Sequence, residues 1–247
     1  MKESRGKWLE NQHVRRFAAN FAEFPEGELC ASEHPDFLLT TPNRVIGIEH
    51  TRYINGDLSR YENVENIALR FASQSYERLG LPPVEVHVHW SFHDKVVKRT
   101  MQQFVNAFSR FVSTHLPAAG DEVTIRYPHW AWRHMPPEVD SVTISRRRTM
   151  TENFWVPTRG GSVPTLEPAN LREIIEKKER KLPTYRQSCA EVWLLIVANG
   201  FEPSTHCDLA PEVERVKFKT DFDRVFFLHH FGGFVTELHT ESTGMRL

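Results

Sequence analysis

A chain of 247 residues can bury a substantial core, and 40% hydrophobic with 26% charged residues is an ordinary globular composition. Lysine and arginine (31) nearly balance aspartate and glutamate (32), so no global basic field marks a nonspecific nucleic-acid binder, and any such role must rest on local patches. Cys30, Cys189 and Cys207 are too few and too scattered for a disulfide framework or a cysteine zinc site. The charged start, residues 1–6, leads into no apolar segment, and the longest apolar run, 192–198, is far too short to span a bilayer. A soluble, cytoplasmic protein without membrane association is expected.

In chain order, Val14, Phe17, Ala18 and Phe21 recur at helical spacing and predict a first helix over 11–24, ended by Pro25 and Gly27. Residues 28–51 read as a strand hairpin. Its strands are Phe37-Leu38-Leu39 and Val45-Ile46-Gly47-Ile48, and Thr41-Pro42-Asn43-Arg44 is the turn. A helix over 62–79 stops at Gly80 and two prolines, a β-branched strand covers 84–90, and a long amphipathic helix covers 95–115. From 118 to 166 the pattern loosens into prolines, Gly160-Gly161 and two short strand candidates, 123–126 and 141–145. This stretch is expected to be an irregular insertion or β-rich subdomain with a mobile segment near 157–165. Helix 167–181, strand 192–198, short helix 211–218 and strands 224–229 and 234–239 follow. Helices alternating with buried apolar strands predict an α/β fold, a mixed central sheet flanked by helices, in one domain over 1–247 that carries the 118–166 insertion.

The chemistry concentrates in the hairpin. Residues facing each other across a turn have constant index sums, and a turn centred between Pro42 and Asn43 places Asp36 opposite Glu49. Directly opposed side chains on one sheet face lie roughly 4.5–5.5 Å apart at Cβ. Two carboxylates at that distance repel unless a cation lies between them. Mg²⁺ takes one or two carboxylates together with waters and phosphate oxygens. Parity agrees: Asp36, Leu38, Gly47, Glu49 and Thr51 share one face, and Phe37, Leu39, Ile46 and Ile48 the other. The second set is core, and Gly47 leaves room beside the carboxylates.

A helix, then Glu33-His34-Pro35-Asp36-Phe37-Leu38-Leu39, then Ile46-Gly47-Ile48-Glu49-His50-Thr51, resembles the PD-(D/E)xK nuclease superfamily over about 45 residues. Ile175-xx-Lys178-xx-Lys181-Leu182-xx-Tyr185 and Trp193-Leu194-Leu195-Ile196 look similar to segments of uncharacterised members. The resemblance implies a restriction-endonuclease-like core and Mg²⁺ (or Mn²⁺) held by Asp36 and Glu49. It also implies a lysine two residues beyond Glu49, where this chain has Thr51. Thr51 can hydrogen-bond but brings no charge to phosphorus. Lys178 is the expected replacement. On helix 167–181 the apolar stripe is Leu171, Ile174, Ile175 and Leu182, and Lys178 falls in its middle while Lys177 and Lys181 lie to one side. An inward lysine needs an anionic partner, and Asp36 with Glu49 is the candidate.

Other readings stand beside this one. Glu49 interrupts an otherwise buried run, where a stray charge costs several kcal/mol. Glu33 is a candidate third metal carboxylate or an exposed loop residue, and Glu10 or Glu23 a candidate first-helix acid. His87 and His89 share a strand face as a zinc pair would, with no carboxylate or cysteine evident to complete a set. Arg146-Arg147-Arg148, followed by Phe154 and Trp155, is a candidate nucleic-acid contact or a solvated loop. Trp130 and Trp132 beside His129 form a stacking surface if exposed, although core packing is the default for tryptophan. The function expected is a divalent-metal-dependent nuclease acting on phosphodiester bonds of nucleic acid, with DNA the leading substrate. The alternative is a catalytically inactive nuclease-fold protein that binds nucleic acid or a protein partner.

Overall fold

The structure is a computed structural model that describes residues 5–159, 163–200 and 202–244. The chain divides into two compact units, Met1–Asn55 with Val163–Leu247, and Gly56–Ser162. The first unit opens with α1 (Arg5–Asn20), β1 (Glu28–Ala31), β2 (Phe37–Thr40) and β3 (Val45–Arg52). The second comprises α2 (Gly56–Glu77), β4 (Glu85–Trp90), α3 (Met101–Thr114), β5 (Glu122–Arg126), β6 (Val139–Ser145) and β7 (Phe154–Thr158). The chain then returns through β8 (Thr165–Leu166), α4 (Pro168–Glu179), α5 (Leu182–Tyr185), β9 (Glu191–Ala198), β10 (Asp208–Leu209) and β11 (Phe218–Lys219). It finishes with β12 (Arg224–His229), β13 (Phe234–Leu238) and β14 (Thr240–Glu241).

The first unit is built on a six-stranded mixed sheet in the order β1-β2-β3-β9-β12-β13. The β2–β3 hairpin is antiparallel, pairing Phe37 with Ile48 and Thr40 with Val45, which is the constant-sum register expected from the turn. β3, β9 and β12 run parallel. A strand between two parallel neighbours is buried on both faces, which is why β9 reads as one continuous apolar run. On one face Val14 and Phe17 of α1 pack with Phe37, Ile46, Ile48, Trp193 and Phe226. On the other, Leu171 and Ile175 of α4 and Tyr185 of α5 pack with Val192, Leu194 and Val225. Helices therefore cover both faces of the sheet.

The second unit has a four-stranded sheet, β5-β6-β4-β7, and its own core. Phe104, Phe108 and Val112 of α3 and Ala68, Ala72 and Tyr76 of α2 pack on Val86, Val88 and Ile144. The separate unit thus begins at Gly56, far upstream of the expected insertion at 118–166, because the helices and strand of 56–114 bury their apolar faces with this second sheet.

Several boundaries differ from the sequence expectation. α3 begins at Met101 rather than near 95: the Ser91 hydroxyl accepts the Nα–H groups of His93 and Asp94, which holds that stretch in a turn. β1 and β7 were not expected. β1 lacks alternation, and β7 contains Pro157, which is tolerated because β7 is an edge strand beside β4. The helix expected over 167–181 ends at Glu179 and a short second helix follows, and the one expected over 211–218 is a 3-10 turn, Pro211–Arg215. Of the stretch expected to be mobile, 157–165, residues 160–162 lie outside the described ones. No described helix is long and apolar enough to cross a membrane.

Candidate functional site

The hairpin places Asp36 immediately before β2 and Glu49 near the end of β3. The loop leading into β2 closes when the Nα–H of Ser32 donates to the carbonyl of Asp36 (2.8 Å). Asp36 Oδ2 in turn accepts the Nα–H of His50 at 2.9 Å, so the carboxylate is tied to the backbone of the opposite strand. Glu49 lies between β2 and β9 and is only 4% exposed. Burying a carboxylate this deeply is costly unless a cation compensates it.

That cation is the ammonium of Lys178. It donates to Glu49 Oε1 at 2.7 Å and to the carbonyl of His50 at 3.1 Å. α4 is set against this sheet face by Leu171 and Ile175, and Lys178, on the same stripe, reaches past them to the strand. His50 is therefore the hub. Its Nα–H holds Asp36, its carbonyl holds Lys178, and the preceding residue supplies the second carboxylate.

Burial, followed by the neighbouring charge of Glu49, pushes the Asp36 carboxyl up to about 6, against the pull of the His50 Nα–H and Lys178; Glu10 of α1 adds a smaller push. Of the two first-helix acids considered, Glu10 thus acts on the site electrostatically, whereas Glu23 pairs with Arg224 at 3.5 Å. The hydroxyl of Tyr185 is buried beside Glu49 without a well-formed hydrogen bond. Burial and the adjacent Glu49 and Asp36 carboxylates hold its ionisation far above the ordinary phenol value. Gly47 packs against Pro35 and Cys189, so its space is filled by protein.

The opposite side of β3 carries a second polar cluster. His50 Nε2 and His13 Nδ1 lie 2.9 Å apart, and His13 Nε2 lies 3.4 Å from Asn199 Oδ1. Burial, then mutual proximity, pushes His50 down to about 3, and burial, then His230, pushes His13 down to about 4. Both imidazoles are therefore neutral at physiological pH. Asn199 Oδ1 accepts from His13 Nε2, which leaves His13 Nδ1 to accept from His50 Nε2. Through this chain α1 and the end of β9 grip the same residue of β3 whose backbone organises the carboxylates.

Other expected site residues lie elsewhere. Glu33 is 83% exposed and pairs with Lys7 at 3.3 Å, so it is a surface acid and supplies no third carboxylate. Thr51 shares the Glu49 face but is only half-buried. His87 has a carboxylate partner that its sequence neighbourhood did not reveal as such: Glu85 Oε1 lies 2.7 Å from its Nε2. Glu85 also receives Arg147 at 2.7 Å. Arg148 donates to the carbonyl of Ala119 and lies over Gly120, and Arg146 joins the backbone of Gly120 and Asp121. The arginine run thus braces the start of β5. Among the described residues no three histidines, cysteines or acids are grouped as the ligands of a metal would be.

Sequence reasoning did not assign Tyr185 or the His13–His50–Asn199 chain to a site. Weak signals were present: Tyr185 closes the same Ile175–Tyr185 segment that carries Lys178, and His13 precedes Phe17 by four on the buried stripe of α1. Comparison of the chain with family models, with curated proteins and with solved structures returned no match.

Proposed function

We propose that Asp36, Glu49 and Lys178 form the site of a divalent-metal-dependent phosphodiesterase acting on nucleic acid, with DNA the leading substrate, on a restriction-endonuclease-like core. The observation that carries this reading is the 2.7 Å contact between Lys178 Nζ and Glu49 Oε1, which brings a lysine to the carboxylate pair although Thr51 stands at the expected position. The donor set fits Mg²⁺ or Mn²⁺: its ligands are hard oxygens, and burial followed by the neighbouring Glu49 charge raises the proton affinity of Asp36, a cost that a dication held by the two carboxylates would offset. Asp36 and Glu49 would hold the ion, and Mg²⁺ there would polarise a phosphate and lower the pKa of its water. Lys178 places a positive charge where negative charge develops at phosphorus. The backbone of His50 keeps both groups in register. Tyr185 excludes water beneath the carboxylates and offers a hydroxyl to Glu49.

The test is cleavage of plasmid and of single-stranded DNA with Mg²⁺ and Mn²⁺, together with calorimetry of either ion. Wild-type protein is expected to cleave and to bind the ion. Asp36→Ala and Glu49→Ala are expected to abolish both, and Lys178→Met to lower cleavage on the order of 100-fold while metal binding persists. Divalent-dependent cleavage that survives both carboxylate substitutions sinks the reading. A second reading rests on the same contact: Lys178 already neutralises Glu49, as in a structural ion pair of a nuclease fold that binds nucleic acid or a protein without cutting. Absence of metal affinity in the wild-type protein selects it.

A further inference from the structure

The unit formed by 56–162 carries an exposed aromatic surface that its core does not use. Between β5 and β6 the chain reads Arg126-Tyr127-Pro128-His129-Trp130-Ala131-Trp132-Arg133-His134-Met135-Pro136-Pro137. It has two arginines, three large aromatics and no acid. Tyr127 is 72% exposed, Trp130 71% and Trp132 39%. The default fate of tryptophan, burial in a core, does not apply here.

The turn is nevertheless firmly built. Trp130–His134 is a 3-10 turn, and His129 caps it by accepting the Nα–H of Ala131 on Nδ1 at 3.1 Å. Ala131 and Met135 are buried in the core of the unit and pin the turn from below. With Ala131 and Met135 turned into the core, Trp130 and Trp132 on either side of Ala131 are left facing outward. The rings then organise one another. His129 lies over Trp130 at 5.7 Å with the rings inclined by 30°, His115 from the end of α3 approaches Trp130 at 5.6 Å, and Tyr127 meets Trp132 edge-on at 5.6 Å. Arg126 and Arg133 are exposed, and neither has an ion-pair partner among the described residues.

From this we infer that the Arg126–Arg133 turn is a binding surface for single-stranded nucleic acid, in which Trp130 and Tyr127 stack on bases and Arg126 and Arg133 meet phosphates. An exposed aromatic ring attracts any base, because every base has a π-face, and the basic flanks select a polyanion. An apolar protein partner would not require the two unpaired guanidiniums, and a neutral glycan would leave them unused. Duplex DNA keeps its bases stacked internally and offers the rings nothing. The surface stands apart from the carboxylate site in its residues, and its ligand affinity requires no metal.

The experiment is fluorescence anisotropy of a labelled twelve-residue oligothymidylate with the full-length protein in EDTA. A duplex of equal length and an uncharged oligosaccharide serve as competitors. The oligothymidylate is expected to bind saturably and to be displaced poorly by both. Trp130→Ala and Tyr127→Ala are each expected to weaken binding roughly five- to hundredfold. Arg126→Ala with Arg133→Ala is expected to flatten the dependence on salt. Asp36→Ala is expected to leave binding unchanged, so loss of cleavage and loss of this surface are read separately. Thermal midpoints of the variants should match the wild type, since the altered side chains are solvent-exposed. Equal affinity of the Trp130→Ala protein for oligothymidylate, absence of binding by the wild type, or stronger binding of duplex or oligosaccharide would overturn the inference.

Discussion

Asp36 feels two opposed demands. Its Oδ2 accepts from the backbone of His50, which favours the carboxylate, while burial and Glu49 favour the acid and win, raising it to about 6. A carboxyl whose folded value lies above its unfolded value of 3.8 stabilises the fold at low pH, and that contribution is lost as pH rises toward 6. Asp36→Asn mimics the protonated form. Its thermal midpoint relative to wild type is therefore expected to climb between about pH 4 and pH 6 and stay level above, in the presence of EDTA. Saturating Mg²⁺ should erase the difference by stabilising the wild type alone. A pH-independent difference would show that burial and Glu49 do not raise the Asp36 carboxyl. The two buried imidazoles act in the reverse direction: their depressed values mean that stability present above pH 6.5 falls away in acid, so the comparison with Asn, not the raw profile, isolates Asp36.

At the scale of elements, the β2–β3 hairpin shows what local rules can and cannot supply. The turn Thr41–Arg44 sets the register, and each pair from Phe37–Ile48 to Thr40–Val45 has the sum expected from it. Alternation then assigns the faces, with Ile46 and Ile48 on the α1 side and Gly47 and Glu49 on the α4 side. From the sequence, Gly47 leaves room beside the carboxylates for a substrate or another backbone. Instead, a Cβ there would come within 2.5 Å of both Cys189 Sγ and a ring carbon of Pro35. Gly47→Ala is accordingly expected to cost about 1–3 kcal/mol through overpacking, read as a lower midpoint in denaturant titration with an unchanged slope. An alanine tolerated without loss would mean that the loop before β2 yields easily. The face of Lys178 on α4 was also legible, from the stripe of Leu171 and Ile175. Its destination was not, because periodicity shows which way a helix points and not which strand it lies against.

For the molecule as a whole, the division into two units follows from where apolar faces find partners. α3 buries Phe104, Phe108 and Val112 against β4 and β6, all within Gly56–Ser162. A segment with its own sheet, two helices and closed core has the anatomy of an independent folding unit. The fragment 56–162 expressed alone is expected to melt cooperatively, with circular dichroism showing both helix and strand. A non-cooperative or unfolded fragment would show that its core depends on the remainder of the chain.

By itself, the sequence determined the hairpin, its register over 37–48, the nearness of Asp36 to Glu49, and an α/β order of helices and apolar strands. Each of these rests on turn geometry, parity or periodicity, which act over a few residues. Only the tertiary structure decided that Lys178 closes on Glu49, 129 positions away, and that Glu33 turns to Lys7. It likewise decided that Trp130 faces solvent and that a second core begins at Gly56. Those outcomes depend on which buried faces meet, and that choice is made by long-range packing among many surfaces of similar pattern. The burial of Glu49 joins the two levels: its position in an apolar strand was written in the chain, and the cation that makes that position tolerable came from another element.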